Sequence, residues 1–337
     1  MKQKQVLHIY SNIRKRVKEL NYPCMCNGCQ RTAINSHLLQ KHGILSQVFE
    51  NGHMYEPRVA NIFNDSFLEF PSEFKRVGVD LALSVHTFCK EHDDNLFSEI
   101  EKDNIDFENY RHVLLLTYRA VCAEARRKEY EIEILRRFLS SNIVSNSISP
   151  YVREFYSDTS EGYKMGYRDL VSHAHFLESE LACSNHQIVF YHKSFPISGV
   201  YCSATFSLDE ISDVKPDSPL GLYFVHIIPT SERTHVILGC DREHETTWAK
   251  LYFSELLSKK DSEIEEYVTS LLIRNNGWGI SPSVYRQLDK SKIDEFFSYY
   301  NMDRTAVMPE RYENFNLFDN SLLNEYNKIH SAVRHDA

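Results

Sequence analysis

Apolar positions along the chain change their spacing several times, and each change marks an element. Val6, Tyr10, Ile13, Val17 and Leu20 recur at three to four residues and predict an amphipathic helix over 3–20. Asn21-Tyr22-Pro23 ends it, because the residue before a proline is pushed out of the helical region. From 24 to 60 the pattern is irregular, with Asn51-Gly52 as a hairpin turn. The run VDLALSVHTF over 79–88 predicts a strand, and helical spacing returns at Leu96, Phe97 and Ile100.

A long helix is predicted over 108–141. Its stripe is Tyr110, Val113, Leu114, Tyr118, Val121 and Cys122, extended by Ile132, Leu135 and Phe138. The polar stretch SSNIVSNSISP over 140–150 reads as a linker, and helices follow at 151–182. Segments 187–193, 199–208, 221–228 and 234–240 are rich in β-branched and aromatic residues and predict strands, the last two joined through PTSER as a hairpin. Helices are expected at 246–258, 261–274 and 289–300, the last after the turn NNGWGISP, with a frayed tail from 330. The expected class is α+β: an N-terminal module over 1–105, a helical region over 106–185, and a C-terminal region over 186–337 with an antiparallel sheet and helices.

Composition narrows the functional classes. A net charge of −9 over 337 residues argues against a protein that coats nucleic acid, which would be basic overall. It leaves room for local cationic patches. The first helix carries Lys2, Lys4, Arg14, Lys15, Arg16 and Lys18, most simply a solvated face. No apolar run approaches the roughly 20 residues needed to span a bilayer, and the first residues lack an apolar leader core. The expected location is cytoplasmic, where clustered cysteines favour a metal over a disulfide. Glycines are scattered, with no phosphate-binding loop, and no G-x-S-x-G is present.

Cysteine spacing carries the candidate chemistry. Cys24 and Cys29 form C-x4-C, with Cys26 between them as an alternative to Cys24. Cys89 and His92 form C-x2-H. Three thiolates and one imidazole make a complete tetrahedral set for structural zinc. Cys122, Cys183, Cys202 and Cys240 stand alone and read as buried small hydrophobes. His37 lies between the two knuckles as a candidate catalytic base, or else as a histidine that hydrogen-bonds within the module.

These motifs resemble a variant of the HNH, or ββα-metal, nuclease module. Ser36-His37 follows the first knuckle, and Phe88-Cys89-Lys90-Glu91-His92-Asp93 stands where the family has its second knuckle and catalytic-metal residue. The chain is also similar to a bacterial set sharing Ser36-His37-Leu38-Leu39-Gln40-Lys41, Asn51-Gly52-His53-Met54-Tyr55 and Phe88 through Glu101. The resemblance implies a zinc-stapled ββα-like module with His37 as general base. Asp93, with Asn95 or Asp94, would hold a catalytic Mg²⁺ or Mn²⁺. The implied substrate is nucleic acid, DNA before RNA, in a setting of antiphage defence. Three departures mark the chain as a variant. Residue 36 is Ser where active members carry a metal ligand, Ser84 replaces an expected asparagine, and the gap between knuckles is long.

Other patterns compete. Arg168 and His173 fit the R-x4-H spacing of HEPN ribonucleases, and Arg31 with His37 meets a looser one. A non-catalytic, zinc-stapled protein that binds a partner through 186–337 is the rival from a different class. His192, His226 and His235 read as strand histidines with satisfied rings, and Trp248 and Trp278 as packing residues. Arg126-Arg127-Lys128 and Arg136-Arg137, interleaved with glutamates, read as a solvated helix face ahead of a phosphate contact. Glu101 reads as a solvated carboxylate ahead of a partner for a ligand histidine.

Overall fold

The computed structural model describes residues 2–40, 43–59, 72–101, 105–207, 219–303 and 314–335. Lys41 of the motif and the side chains of Lys2 and Lys4 lie outside the described residues. In chain order the elements are α1 (Lys2–Lys18), β1 (Asn35–His37), β2 (His53–Val59), β3 (Ser72–Gly78), β4 (Ser84–His86) and α2 (Lys90–Leu96). Then come α3 (Tyr110–Leu139), α4 (Asn142–Ser145) and α5 (Pro150–Cys183). The rest is β5 (Ile188–Phe195), β6 (Val200–Phe206), β7 (Tyr223–Pro229), β8 (Thr234–Asp241), α6 (Thr247–Ser258), α7 (Ile264–Arg274), β9 (Trp278–Ile280), α8 (Pro282–Gln287), α9 (Lys290–Asp303) and α10 (Ser321–His335). The α+β class is as the sequence predicts.

Seven strands form one antiparallel sheet in the order β3-β2-β9-β6-β7-β8-β5. Strands from the N-terminal 105 residues therefore lie in the same sheet as strands from 186–337. The junction is β9, inside the stretch read from sequence as a turn. Tyr55 of β2 pairs with Ile280, and Val200 of β6 pairs with the same residue. Asn51 and Gly52 both take positive φ, which is the backbone of the predicted hairpin turn, closed by a bridge between Glu50 and His53.

Period-two alternation splits the sheet between two cores. Tyr201, Phe224, Ile228 and Ile237 face α3, while Val200, Cys202, Val225, Ile227, Val236 and Leu238 face the C-terminal helices. On the second face they meet Phe253 of α6, Leu272 of α7, Val284 of α8, Phe296 of α9 and Leu322 of α10. Each such side chain, fully buried, contributes about 1.5–3 kcal/mol.

On the first face α3 is the central element. Asn109 caps it by accepting from the backbone N–H groups of Arg111 and His112. α5 starts from Ser149, which accepts from Val152 N–H, with Pro150 in the first turn and Ser184 in the left-handed region at its end. The predicted linker is thus a short connection holding α4, and α3 and α5 pack side by side. Trp278 is buried in the core, as expected, but Trp248 is about half exposed (49%) and stacks on Tyr252 along the outer face of α6. Cys122, Cys202 and Cys240 are buried; Cys183, at the end of α5, is exposed, so the expectation of burial fails there. The helix predicted to fray from 330 continues to His335. No described helix is long and apolar enough to cross a membrane.

Candidate metal centre

The first knuckle is the tip of a narrow hairpin. Pro23 and Thr32 form a bridge, Cys24 N–H donates to the Arg31 carbonyl (2.7 Å), and Ala33 N–H donates to the Tyr22 carbonyl (2.8 Å). The turn closes through Cys29 N–H to the Cys26 carbonyl (3.1 Å), with Gly28 at φ +74°. Two backbone bonds dock this hairpin on the second knuckle: Met25 N–H to Thr87 O (2.8 Å) and Ile34 N–H to Phe88 O (2.7 Å). β1 and β4 pair antiparallel, with Asn35 opposite His86 and His37 opposite Ser84. Cys89 then precedes α2, and His92 lies within its first turn. The connectivity is strand, strand, helix, with residues 38–83 inserted between the strands.

Ligand atoms of Cys24, Cys29, Cys89 and His92 all lie within 4.8 Å of one another. His92 Nδ1 is 3.3 Å from Cys24 Sγ and 3.5 Å from Cys89 Sγ. A tetrahedron with Zn–S near 2.3 Å and Zn–N near 2.0–2.1 Å has N···S edges of about 3.5 Å. The donor set and its spacing therefore fit a metal such as zinc. Burial pushes the Cys24 thiol up. Burial also pushes Cys89 up, but the His92 N–H, the Cys24 and Cys29 thiols and the Glu91 N–H outweigh it and leave Cys89 below its ordinary value. Cys26 stands outside the group. Its Sγ lies 3.7 Å from Tyr118 Oη, whose single proton goes to Glu178, and burial pushes its thiol up to about 12. Of the two alternatives, the cluster contains Cys24.

The helical pair α3–α5 is the platform for this centre. Arg126 Nη2 donates to the Pro23 carbonyl (2.5 Å), and its guanidinium lies 4.7 Å from the Tyr22 ring centroid. Glu178 of α5 accepts from Tyr118 Oη (2.5 Å) and from Asn27 N–H (2.9 Å), clamping the knuckle tip. Arg119 is buried, donates to Glu101 (2.6 Å) and Asp93 (3.3 Å), and lies 4.0 Å from the Phe97 centroid. Arg126 is 2% exposed, which corrects the solvated-face expectation for that residue. A signal was present: Tyr118, Cys122, Arg126 and Tyr130 continue one stripe at a spacing of four. Glu101 is held by Arg119 and touches no ligand histidine in any hydrogen bond.

His37 is half-buried, and its Nε2 lies 3.0 Å from the Val79 carbonyl. A carbonyl only accepts, so Nε2 carries the proton and Nδ1 is left with its lone pair. Asn35, His37, Ser84 and His86 share one face of the β1–β4 ribbon, while Ser36 and Val85 point into the core. Ser36 is buried, its hydroxyl turned back toward Ile34 O (3.5 Å). Asp93 is paired with Arg119 through Oδ1. Asn95 is exposed and lines an open depression with Arg31, Ile34, Lys90, Glu91 and Asp94. Among the described residues no hydrogen bond or ion pair joins His37 to Asp93 or Asn95, and the Cys24 group is the one Cys/His/Asp/Glu cluster that can hold a metal.

Arg168 is exposed, whereas His173 is buried against the Leu220 carbonyl (2.7 Å). Five residues along a helix turn the two about 140° apart. The strand histidines are satisfied: His226 contacts Thr117 Oγ1 (3.2 Å) and Ser203 Oγ (3.1 Å), and His192 Nε2 lies 2.9 Å from His235 Nδ1. Comparison with protein-family models, with curated proteins and with solved structures gives no match.

Proposed function

We propose that this protein is a metal-dependent endonuclease whose zinc-stapled ββα unit presents His37 as general base, with antiphage defence as its setting. The observation that carries the reading is the Cys24, Cys29, Cys89 and His92 group, placed so that it ties β1, β4 and α2 together with His37 at the end of β1. The Val79 carbonyl fixes the ring tautomer and leaves Nδ1 to accept a proton from attacking water. Cys24, Cys29, Cys89 and His92 would hold zinc, which would supply structural cross-linking of the unit and leave proton transfer to His37.

A divalent ion such as Mg²⁺ or Mn²⁺ would supply charge neutralisation at the scissile phosphate and leaving oxygen. Asp93 and Asn95 offer the oxygen ligands such an ion prefers. Arg119 occupies Asp93 Oδ1 and leaves Oδ2. DNA is the first substrate to test and RNA the second.

The rival is a non-catalytic zinc-stapled module that binds a protein partner through 186–337. It is favoured by the burial of Ser36 and by the hold of Arg119 on Asp93, which together thin the ligand set for a catalytic ion. The opposed orientations of Arg168 and His173 weigh against the HEPN-like alternative. The test is cleavage of DNA and RNA with Mg²⁺ or Mn²⁺ by the wild type and by His37→Ala. Cleavage that needs His37 supports the nuclease. Zinc-loaded protein that cuts neither substrate supports the rival.

A further inference from the structure

The face of the β1–β4 ribbon that carries His37 and His86 is flanked by cations from three other elements. His86 contacts Tyr130 of α3 through both its ring Nδ1 (2.9 Å) and its backbone N–H (3.2 Å). Tyr22, just after α1, packs at a tilt against Tyr130 (ring centroids 4.9 Å) and donates to the Val17 carbonyl (2.9 Å), which brings the C-terminus of α1 to the same place. Leu83, just before β4, donates its N–H to Glu56 of β2 (3.1 Å), and Glu56 is ion-paired with Arg58. The Arg127 guanidinium borders Gly277, which also borders Leu83. Lys18, Arg58 and Arg127 thus converge on the segment 83–86, across from His37.

The charge balance there is incomplete. Arg58 pairs with Glu56, Arg127 with Glu124, and Glu131 is the carboxylate nearest in influence to Lys18. Lys18 and Arg14 form no ion pair among the described residues. The paired arginines each use one terminal nitrogen on their carboxylate, and a guanidinium has five N–H donors. Burial, and then Arg14, Arg58 and Arg127, hold the Lys18 ammonium below its ordinary value. Four cations thus face three carboxylates, Glu56, Glu124 and Glu131, and in a protein of net charge −9 this local positive excess is explained by an anionic ligand.

We propose that Lys18, Arg58 and Arg127, with Arg14 one turn earlier on α1, form a binding edge for the phosphate backbone of a polynucleotide lying along the His37 face of the ribbon. The choice of a polynucleotide rests on the nuclease reading; the edge itself rests on the convergence of these four cations. Phosphate contacts of this kind position a strand without reading its sequence, and each released counterion makes affinity fall with salt.

The experiment is fluorescence anisotropy of short labelled DNA and RNA with full-length protein carrying His37→Ala, across a salt series. Lys18→Glu and Arg14→Glu are added singly, since neither residue holds a structural ion pair, and circular dichroism checks their fold. We expect each reversal to weaken binding by about tenfold at low salt and to flatten the slope of log affinity against log salt by about one. Unchanged affinity and slope overturn the proposal, as does absence of oligonucleotide binding by the parent protein. Binding to anionic phospholipid vesicles in place of oligonucleotides, with the same Lys18 dependence, also overturns it. Lys18-dependent binding in a protein that never cuts would leave the edge standing and remove the nuclease.

Discussion

Arg119 shows what a buried cation does beside the metal centre. It is 3% exposed in its side chain and faces Asp93 and Glu101, which are 17% and 35% exposed. Arg119→Ala should cost about 2–4 kcal/mol, because it opens a cavity against Phe97 and strands two carboxylates. Denaturant unfolding measures this, and a loss below about 0.5 kcal/mol would mean the pair is merely a surface contact. Histidines give a second residue-scale prediction. Burial lowers His86, His173 and His192, takes His235 down to about 4 and takes His226 down to about 3. The unfolded chain protonates them near pH 6.5, so stability is full above that pH and falls as pH drops toward the folded values. At pH 5.5 each strongly depressed histidine should cost about 1.4 kcal/mol. Melting temperature against pH, compared with His226→Gln, checks it: the variant should lose a shallower fraction of its stability between pH 7 and 5.5. Equal slopes would show that His226 does not contribute. At this scale the sequence pointed to the four residues that the fold gathers into a group able to hold a metal, because the spacing within each knuckle is local. It concealed Arg119, whose partners Asp93 and Glu101 lie on other segments, and Arg126 was masked by the glutamates around it although it continues the apolar stripe.

At the scale of elements, β9 is where the fold is most exposed to a single change. Gly279 lies between Tyr201 and β2, and an added Cβ would come 2.7 Å from the Tyr55 carbonyl. Gly279→Ala should therefore cost about 1–3 kcal/mol and loosen the junction of β2 with β6. Amide exchange should rise at Tyr55 and Ile280 first; protection equal to wild type at both would contradict the account. Long helices and the four strands of 186–241 were legible because their apolar periods run for many residues. β9 spans three residues and reads as a turn around Asn-Gly. β2 and β3 fall in a stretch with no sustained alternation, and Glu56 of β2 is held by Leu83 and Tyr201, partners distant in sequence. The ββα connectivity was expected only from the resemblance, since 46 residues, 38–83, separate its strands.

For the whole molecule, the metal group and the sheet are mechanically linked. Arg126, Glu178 and Arg119 tie the knuckles to α3 and α5, and α3 lies on the seven-stranded sheet. Removing the metal with a chelator, or replacing Cys89 by Ala, should lower the melting temperature of the entire protein in one transition. A variant without metal that keeps the wild-type melting curve would show that the group is not a staple. The measurement closest to the central claim is zinc per chain together with Mg²⁺- or Mn²⁺-dependent cleavage, taken on the wild type and on His37→Ala in parallel. The account predicts one zinc in both proteins, and a cleavage rate that falls by about 100-fold or more in His37→Ala. Equal cleavage by the two proteins, or cleavage by neither with zinc bound, would contradict it.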